Sequence, residues 1–193
     1  MPKRFDKAYY DRYYRNPKTR STTPAAVGRQ ATFIHAYLRH LELEVSSVLD
    51  IGCGTGNLLR ALGRAYPRAS CSGVEYSDYL CRHYGWTQGS VDSFMPLQPA
   101  DLVICNDVLG YLDEKRCIAA LKNLSEMTAT TLYLGVLTTQ DVPISDRTRT
   151  DSSQITRSVS FYRKQLGRHF VAVGGGLFIK QPLPATIWHL DRA

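Results

Sequence analysis

The chain has 193 residues, of which 44% are hydrophobic and 21% charged, and its formal net charge is +7 at pH 7. This length and composition are ordinary for a soluble globular protein and predict one domain with a sizeable core. No apolar run approaches the length of a membrane span, and no apolar segment follows the basic residues at the N-terminus as in a secretory signal. We therefore expect a cytoplasmic protein with no membrane partner.

The cysteines support the same expectation. Their number is odd, and no Cys-x-x-Cys pair occurs among Cys53, Cys71, Cys81, Cys105 and Cys117. Several of them follow or interrupt apolar strands, where a cysteine is usually a small buried hydrophobe. The pattern predicts a reducing compartment, no disulfide framework and no metal site.

The N-terminal segment is basic and rich in tyrosine. Its first twenty residues carry seven basic and two acidic side chains, so they supply +5 of the net charge of +7. Residues 3–15 are predicted as a helix, because Phe5, Tyr9 and Tyr13 repeat every four residues and Tyr10 and Tyr14 form a second such pair. The tyrosines either pack on the body of the protein or form a lid over a ligand, with Tyr14 as a candidate substrate contact. The basic charge fits a solvated face, a lid over an anion or a nucleic-acid contact.

A second helix is predicted from Thr23-Pro24, a capping residue followed by proline at the first helical position. Its apolar stripe consists of Val27, Ala31, Ile34, Leu38 and Leu41. We group residues 1–43 as N-terminal lid helices.

From residue 46 onward strands and helices alternate. Strands are predicted at 46–51, 70–75, 86–89, 101–106 and 130–137, with helices ending near residue 66 and at about 77–84, 113–127 and 158–167. Such alternation is typical of a parallel sheet covered by helices on both faces. Two further β runs, 170–180 and 185–190, predict an antiparallel hairpin at the sheet edge, with Gly174–Gly176 as either a bulge or the turn. The fold class is therefore α/β, with a Rossmann-like, doubly wound, mostly parallel seven-stranded sheet.

Chemistry is expected at the carboxyl ends of these strands. The segment Val48–Gly56 is an apolar strand followed by glycine at every second position and then by a helix, which brings backbone N–H groups close to a ligand. Acids follow successive strands at Asp50, Glu75, Asp92 and Asp107. Folding alone does not explain so many acids, because Asn, Ser or Gly serve turns equally well.

Glu75 has the position of an acid that accepts both hydroxyls of a ribose. A dinucleotide is disfavoured, because Asn57 replaces the third glycine of the usual motif and Asp50 places a negative charge beside the loop. A ligand with a ribose and a cationic end fits better, and S-adenosylmethionine has both.

The sequence VLDIGCGTG, with GVEYS at 73–77, SVD at 90–92 and DLVICNDVLGYL at 101–112, resembles the class I S-adenosylmethionine-dependent methyltransferases over about residues 46–137. The resemblance implies S-adenosylmethionine as cofactor and S-adenosylhomocysteine as product. It assigns the amino-acid end of the cofactor to Asp50, Gly52, Cys53, Gly54 and Gly56. It assigns the ribose to Glu75 and the adenine to Tyr76, Val91 and Asp92. Asn106 is placed near the methyl group.

The fourth motif reads Asn106-Asp107-Val108-Leu109 and not Asn/Asp-Pro-Pro-Tyr. It therefore resembles the small-molecule branch of the class more than the enzymes that methylate bases or glutamine amides. Asp107 and Tyr111, which follow this strand, are the candidate catalytic residues, with capping and packing as their alternative roles.

Substrate contacts are expected from the irregular stretch 138–157, at Arg147, Asp151 and Arg157, together with Tyr14. The expected organisation is one domain over 1–193, with lid helices at 1–43, the cofactor-binding core at 46–137, and a substrate loop, helix and hairpin at 138–193. The favoured activity is methyl transfer to an oxygen or nitrogen of a small molecule. Two alternatives stay open, an RNA or protein methyltransferase that docks through the basic arm and a non-catalytic cofactor-binding domain. The sequence makes no prediction about the oligomeric state.

Overall fold

The computed structural model describes residues 5–188, and its centre is a seven-stranded sheet. The strands are β1 Ser47–Ile51, β2 Ser70–Glu75, β3 Thr87–Gln88, β4 Ala100–Asn106, β5 Thr128–Gly135, β6 Phe170–Gly174 and β7 Leu177–Lys180. Their order across the sheet is β3-β2-β1-β4-β5-β7-β6. The five strands β1 to β5 are parallel, whereas β7 pairs antiparallel with both β5 and β6. The predicted fold class is confirmed.

The helices also follow the prediction. They are α1 Lys7–Tyr10, extended by a π-helical turn at Asp11–Arg15, then α2 Pro24–His40, α3 Asn57–Ala65, α4 Asp78–Tyr84, α5 Glu114–Met127 and α6 Val159–Leu166. Short 3-10 turns lie at Leu109–Tyr111 and Val142–Ile144. The Thr23 hydroxyl accepts a hydrogen bond from Ala26 N at 3.1 Å, which is the cap expected at the start of α2. None of the helices in the described residues has the length and apolar character needed to cross a membrane.

Two apolar clusters cover the faces of the sheet. One contains Ile34 and Leu38 of α2 with Leu62 of α3, and the other contains Leu124 of α5 with Leu166 of α6. These five side chains are at most 2% exposed. The second predicted helix, α2, is therefore a layer of the core, because its apolar stripe is buried against the sheet, and of the two helices grouped as a lid only α1 lies outside this packing.

The C-terminal hairpin is shorter than predicted. Gly174 pairs with Leu177, so the three glycines form the turn itself, with positive φ angles of 94°, 59° and 83°. The prediction of a second strand over 185–190 is wrong for residues 185–188, which are not in a strand, and residues 189–190 lie outside the described part. The edge of β5 is already paired with β7, which follows the glycine turn directly.

The strand order reverses at β1, which lies between β2 and β4. Ligands of doubly wound sheets bind at the carboxyl ends of the strands beside such a reversal. The ends of β1, β2 and β4 are therefore the place where a site is expected.

Candidate active site

The loop after β1 is shaped by its glycines. Gly52, Gly54 and Gly56 have φ angles of 76°, 54° and 71°, in the left-handed region that favours glycine. A Cβ atom on Gly52 would lie 2.3 Å from Cγ2 of Val108, and one on Gly56 would lie 2.4 Å from Cζ2 of Trp86. The spacing of glycines thus reflects both the backbone conformation and the close packing around the loop.

Glu75 links this loop to its surroundings. Its side chain is 5% exposed at the end of β2. The oxygen Oε2 accepts a hydrogen bond from Gly54 N at 2.8 Å. The oxygen Oε1 accepts one from Ser77 N at 2.8 Å and a longer one from the Tyr10 hydroxyl at 3.3 Å. The carboxylate is held by backbone N–H groups on one side and by α1 on the other.

Asp50 is a second buried acid, 3% exposed, at the end of β1. Burial is the main cause that raises its pKa to about 7, and the negative charge of Glu75 adds to the effect. Burial also raises the pKa of the neighbouring Cys53 thiol, which is therefore uncharged at neutral pH. Two close carboxylates beside a glycine loop favour a ligand that brings a positive charge.

A cavity of about 600 Å³ opens at the carboxyl ends of β1, β2 and β4. Gly52 of the glycine loop lines it, whereas the buried Asp50 and Cys53 do not. Its floor at the strand ends includes Gly52, Glu75, Tyr76, Asn106 and Asp107. Its cover is the N-terminal segment, through Phe5, Tyr9, Tyr10 and Tyr14. The structure thus brings the glycine loop and the acids after β2 and β4 together, as the sequence predicts.

The cover is fastened by hydrogen bonds. The hydroxyl of Ser77 donates to the backbone oxygen of Phe5 at 2.6 Å. The hydroxyls of Tyr9 and Tyr111 form a hydrogen bond with each other at 2.7 Å. Two cationic side chains of this segment, Lys7 and Arg15, pair with Asp11 at 2.5 and 2.7 Å. Tyr10 is packed at 3% exposed, and Tyr9, Tyr10 and Tyr14 line the cavity, so the role of the segment as a lid over a ligand stays a prediction.

Asp107 lies where β4 ends, and it adopts the left-handed conformation with φ 56°, which is unusual for a residue with a side chain. Its carboxylate accepts a hydrogen bond from Nδ2 of Asn106 at 3.1 Å. The residue is open to solvent through the cavity, but the protein around its carboxyl group removes hydration and raises its pKa. Such a carboxylate is a better proton acceptor near neutral pH than an ordinary aspartate.

Tyr111 lies in the 3-10 turn after Asp107. Burial raises its pKa to about 12, although its hydrogen bonds with Tyr9 and Gln154 oppose the rise. The amide of Gln154 donates to the Tyr111 hydroxyl at 3.0 Å. Tyr111 is therefore a neutral phenol in a hydrogen-bonded chain, and its predicted catalytic role, like that of Asp107, stays a prediction.

The other end of the cavity contains a residue that the sequence did not indicate. Arg116 of α5 donates from Nε and Nη2 to the two oxygens of Asp92, at 2.7 and 3.2 Å, and lowers the pKa of that carboxyl group. Ser90 also donates to Asp92. The wall here is formed by Ser90, Arg116 and the exposed ring of Tyr76. Val91, also predicted at the adenine, is 1% exposed and does not line the cavity. Asp92 thus meets an arginine in this structure, and its predicted contact with an adenine stays a prediction.

A second cavity, of about 230 Å³, adjoins the first. Both are lined by Tyr9, Tyr14, Asp107 and Tyr111. The remaining wall comes mainly from the irregular stretch after β5, through Asp146, Arg149, Asp151 and Gln154. Asp151 and Tyr14 thus lie where a substrate contact was predicted. The two cavities meet at the candidate catalytic residues.

Two predicted substrate contacts are not at either cavity. Arg157 is 8% exposed, and its guanidinium donates to the backbone oxygens of Leu109 and Leu112 at 3.2 and 2.6 Å. It fixes the turn that carries Tyr111 and does not face a ligand, which corrects the prediction. Arg147 is exposed and lines neither cavity, whereas Arg149 of the same stretch lines the smaller one.

The residues that sequence reasoning missed come from distant parts of the chain. They are Tyr9, Tyr10, Gln30, Arg116, Arg149 and Gln154. The tyrosine cluster gave a signal for the first two. Gln30 donates to Oδ1 of Asn106 at 3.4 Å across 76 positions of sequence, a contact that no local pattern indicates.

Comparisons with known proteins identify the family of the chain. A family model described as a methyltransferase domain matches residues 25–171. Pluviatolide O-methyltransferase from Sinopodophyllum hexandrum is 28% identical over 123 residues, which are 61% of this chain and 32% of that protein. Trans-aconitate 2-methyltransferase from Azoarcus sp. (strain BH72) is 26% identical over 155 residues, which are 77% of this chain and 55% of the relative.

Among solved structures, magnesium protoporphyrin IX methyltransferase (ChlM) from Synechocystis PCC 6803 with bound S-adenosylmethionine has a similar fold. The TM-score is 0.64 at 19% identity, over 92% of this chain and 93% of that one. The chain spans about a third of the length of the first curated relatives it matches, at 32% and 36%.

Proposed function

Because the chain belongs to the class I S-adenosylmethionine-dependent methyltransferases, we propose that it transfers a methyl group to an oxygen or nitrogen of a small molecule. The observation that carries this proposal is the pair of adjoining cavities, which meet at Asp107 and Tyr111. The larger has Gly52 of the glycine loop and Glu75 on its floor, and the smaller is bounded by the stretch after β5. When bound, S-adenosylmethionine supplies a methyl carbon activated by its sulfonium.

The larger cavity fits this cofactor. A carboxylate offers about four acceptor positions, and Glu75 uses three, for Gly54 N, Ser77 N and the Tyr10 hydroxyl. The bond from Tyr10 is the longest, at 3.3 Å, and is the one most easily replaced. The acceptor position that Tyr10 occupies and the unoccupied fourth position together match the two hydroxyls of a ribose. We place the amino-acid end at Asp50 and the loop from Gly52 to Gly56, where buried negative charge favours a cation.

The residues at the junction would prepare the acceptor. Asp107 accepts a proton from the attacking group, and Asn106 orients its carboxylate through the bond at 3.1 Å. The Tyr9–Tyr111 pair, whose hydroxyls lie 2.7 Å apart, lies between the cavities and limits the entry of water. Arg157 positions Tyr111 by holding the carbonyl groups on both sides of it.

The structure favours a small acceptor over RNA or a protein. Lys7 and Arg15 share the carboxylate of Asp11, and the tyrosines between them line the cavities, which supports an acceptor bound inside the protein. Lys3 and Arg4 lie outside the described residues. We further propose a single domain over 1–193, with the core at 46–137 and the substrate loop, helix and hairpin at 138–193. Within 1–43 the lid is α1, since α2 belongs to the core. The five free cysteines support the predicted cytoplasmic location.

The test is calorimetric titration of S-adenosylmethionine into the wild type and Glu75→Ala. Two hydrogen bonds to a charged carboxylate are each worth about 1.5–3 kcal/mol, so the affinity should fall by about 100-fold or more. The matched control is Glu126→Ala, an exposed glutamate of α5 that pairs with Lys122 at 3.5 Å and should leave the affinity unchanged. Circular dichroism and Glu75→Gln, which keeps an acceptor oxygen, separate a loss of binding from a loss of folding. Equal affinity for wild type and Glu75→Ala contradicts the cofactor assignment. If the cofactor binds but no small-molecule acceptor is methylated, the result favours the non-catalytic alternative.

A further inference from the structure

The smaller cavity has an unbalanced charge. Three carboxylates line it, those of Asp107, Asp146 and Asp151, against one guanidinium, that of Arg149. Three negative charges and one positive charge leave a formal charge of −2 on this wall. Arg149 Nε lies 3.5 Å from Oδ2 of Asp146, so the guanidinium offsets the charge of that carboxylate. A cavity walled in this way attracts an organic cation and repels an anion.

Aromatic rings complete the wall. Four tyrosines, Tyr9, Tyr13, Tyr14 and Tyr111, line the same space. The face of an aromatic ring attracts a cation, most strongly when water is excluded. Burial raises the pKa of Tyr9 and of Tyr14, so these phenols stay neutral and act through their rings and hydroxyl groups.

Tyr14 gives an independent indication of a ligand. It lines both cavities, and within the described residues its hydroxyl makes no hydrogen bond, whereas those of Tyr9 and Tyr111 bond to each other. A phenol oxygen is a ready acceptor for an N–H group. A ligand that enters the smaller cavity as a cation and carries N–H donors would satisfy both the charge and this hydroxyl.

We propose that the acceptor is a small organic amine, bound as a cation in the smaller cavity, and that its nitrogen is the atom that receives the methyl group. This inference rests on the proposed methyltransferase function and adds the class of acceptor. The volume of about 230 Å³ lies below the roughly 300–1,000 Å³ of pockets for drug-sized ligands, so the amine is compact.

The reaction balances with the groups present. The ammonium form of the acceptor loses one proton to the carboxylate of Asp107. The lone pair freed on nitrogen then forms the new C–N bond, while the S–CH3 bond breaks and its electron pair stays on sulfur. No oxidant or reductant is needed, and the added proton leaves Asp107 through the cavity to solvent.

The experiment compares three probes of nearly equal shape: benzylamine as cation, benzyl alcohol as neutral molecule and benzoate as anion. Each is titrated calorimetrically into the protein saturated with S-adenosylhomocysteine. Benzylamine should bind about 10-fold more tightly than benzyl alcohol, and benzoate should show no saturable binding. Equal affinities for the amine and the alcohol, tighter binding of benzoate, or no binding of benzylamine would each overturn the proposal.

A pair of variants localises the effect. Asp151→Asn keeps an oxygen that can accept the hydrogen bond from Ser153 N, seen at 2.9 Å, but removes one charge from the wall. It should weaken benzylamine binding about 5-fold or more and leave that of benzyl alcohol unchanged. Glu126→Gln removes a charge on α5 away from the cavity and should change neither affinity. A separate titration of the cofactor distinguishes failure of the proposed function from failure of the amine proposal. If the cofactor does not bind, the proposed function fails; if it binds and the order of probes is wrong, only the amine class fails.

Discussion

Replacing Asp50 by asparagine should stabilise the cofactor-free protein above pH 7, although the residue belongs to the cofactor site. Asp50 is 3% exposed, and its pKa is raised from the ordinary 3.8 to about 7 by burial and by Glu75. The folded protein therefore binds this proton more tightly than the unfolded chain. Ionising Asp50 therefore lowers the free energy of unfolding. This loss is absent below about pH 4, grows as pH rises, and is complete above about pH 7.

The size of the effect follows from the two pKa values. A rise from 3.8 to about 7 corresponds to a cost of about 4 kcal/mol in the free energy of unfolding once the group is ionised. A buried asparagine amide without hydrogen-bond partners itself lowers the free energy of unfolding by about 1–3 kcal/mol. The expected net gain for Asp50→Asn is thus about 1–3 kcal/mol at pH 8, and it should shrink or reverse at pH 5.

Urea unfolding of wild type and Asp50→Asn at pH 5 and pH 8, without cofactor, measures this difference. The control is Asp101→Asn, since Oδ2 of Asp101 accepts hydrogen bonds from Ser46 N, Ser47 N and the Ser47 hydroxyl at 2.8, 3.0 and 3.0 Å. The same substitution should there destabilise the protein at pH 8. A loss of stability in Asp50→Asn at pH 8, or an effect that is equal at both pH values, would refute the reasoning.

Two further variants concern the lid and the turn below it. Tyr10→Phe removes the hydroxyl that occupies Glu75 at 3.3 Å, so calorimetry should show tighter binding of S-adenosylmethionine, by about 2- to 10-fold; unchanged or weaker binding would mean that the hydroxyl does not compete with the ribose. Arg157→Met keeps the apolar stem but leaves the backbone oxygen of Leu112 without this donor, while that of Leu109 keeps the bond from Leu112 N at 3.3 Å. It should lower kcat and lower the free energy of unfolding by about 1–3 kcal/mol. Arg157→Lys should recover part of this loss and of kcat with little change in KM for the cofactor, whereas equal stability of Arg157→Met and the wild type would exclude the positioning role.

The parallel part of the sheet was predictable because its signals are local. Apolar strands, the glycine loop and the caps each act within a few residues of sequence, and the strand ends of a parallel sheet meet at one edge by geometry. That is why the sequence places Glu75 and Asp107 at one edge of the sheet, where both line the larger cavity. The hairpin was not predictable to the same degree, since the runs 170–180 and 185–190 have similar β propensity and only tertiary pairing with β5 decides between them.

The polar contacts of the site were harder to predict for a related reason. Arg147, Arg149 and Arg157 lie in one irregular stretch of similar composition, and the sequence does not show which way each side chain turns. Arg157 donates to backbone carbonyl groups 45 to 48 residues away. Arg116 reaches Asp92, which lies in a turn, from helix α5, 24 residues along the chain. Long side chains find partners through the fold, which local patterns do not encode.

The shared wall between the two cavities also bears on how many methyl groups one encounter can add. Tyr9 and Tyr14 belong to a single short helix and line both spaces, so moving that helix to exchange spent cofactor opens the acceptor space as well. On the proposed assignment, the acceptor is released before the next cofactor is in place. An acceptor nitrogen with room for two methyl groups would then be modified distributively, with the singly methylated product accumulating in solution first.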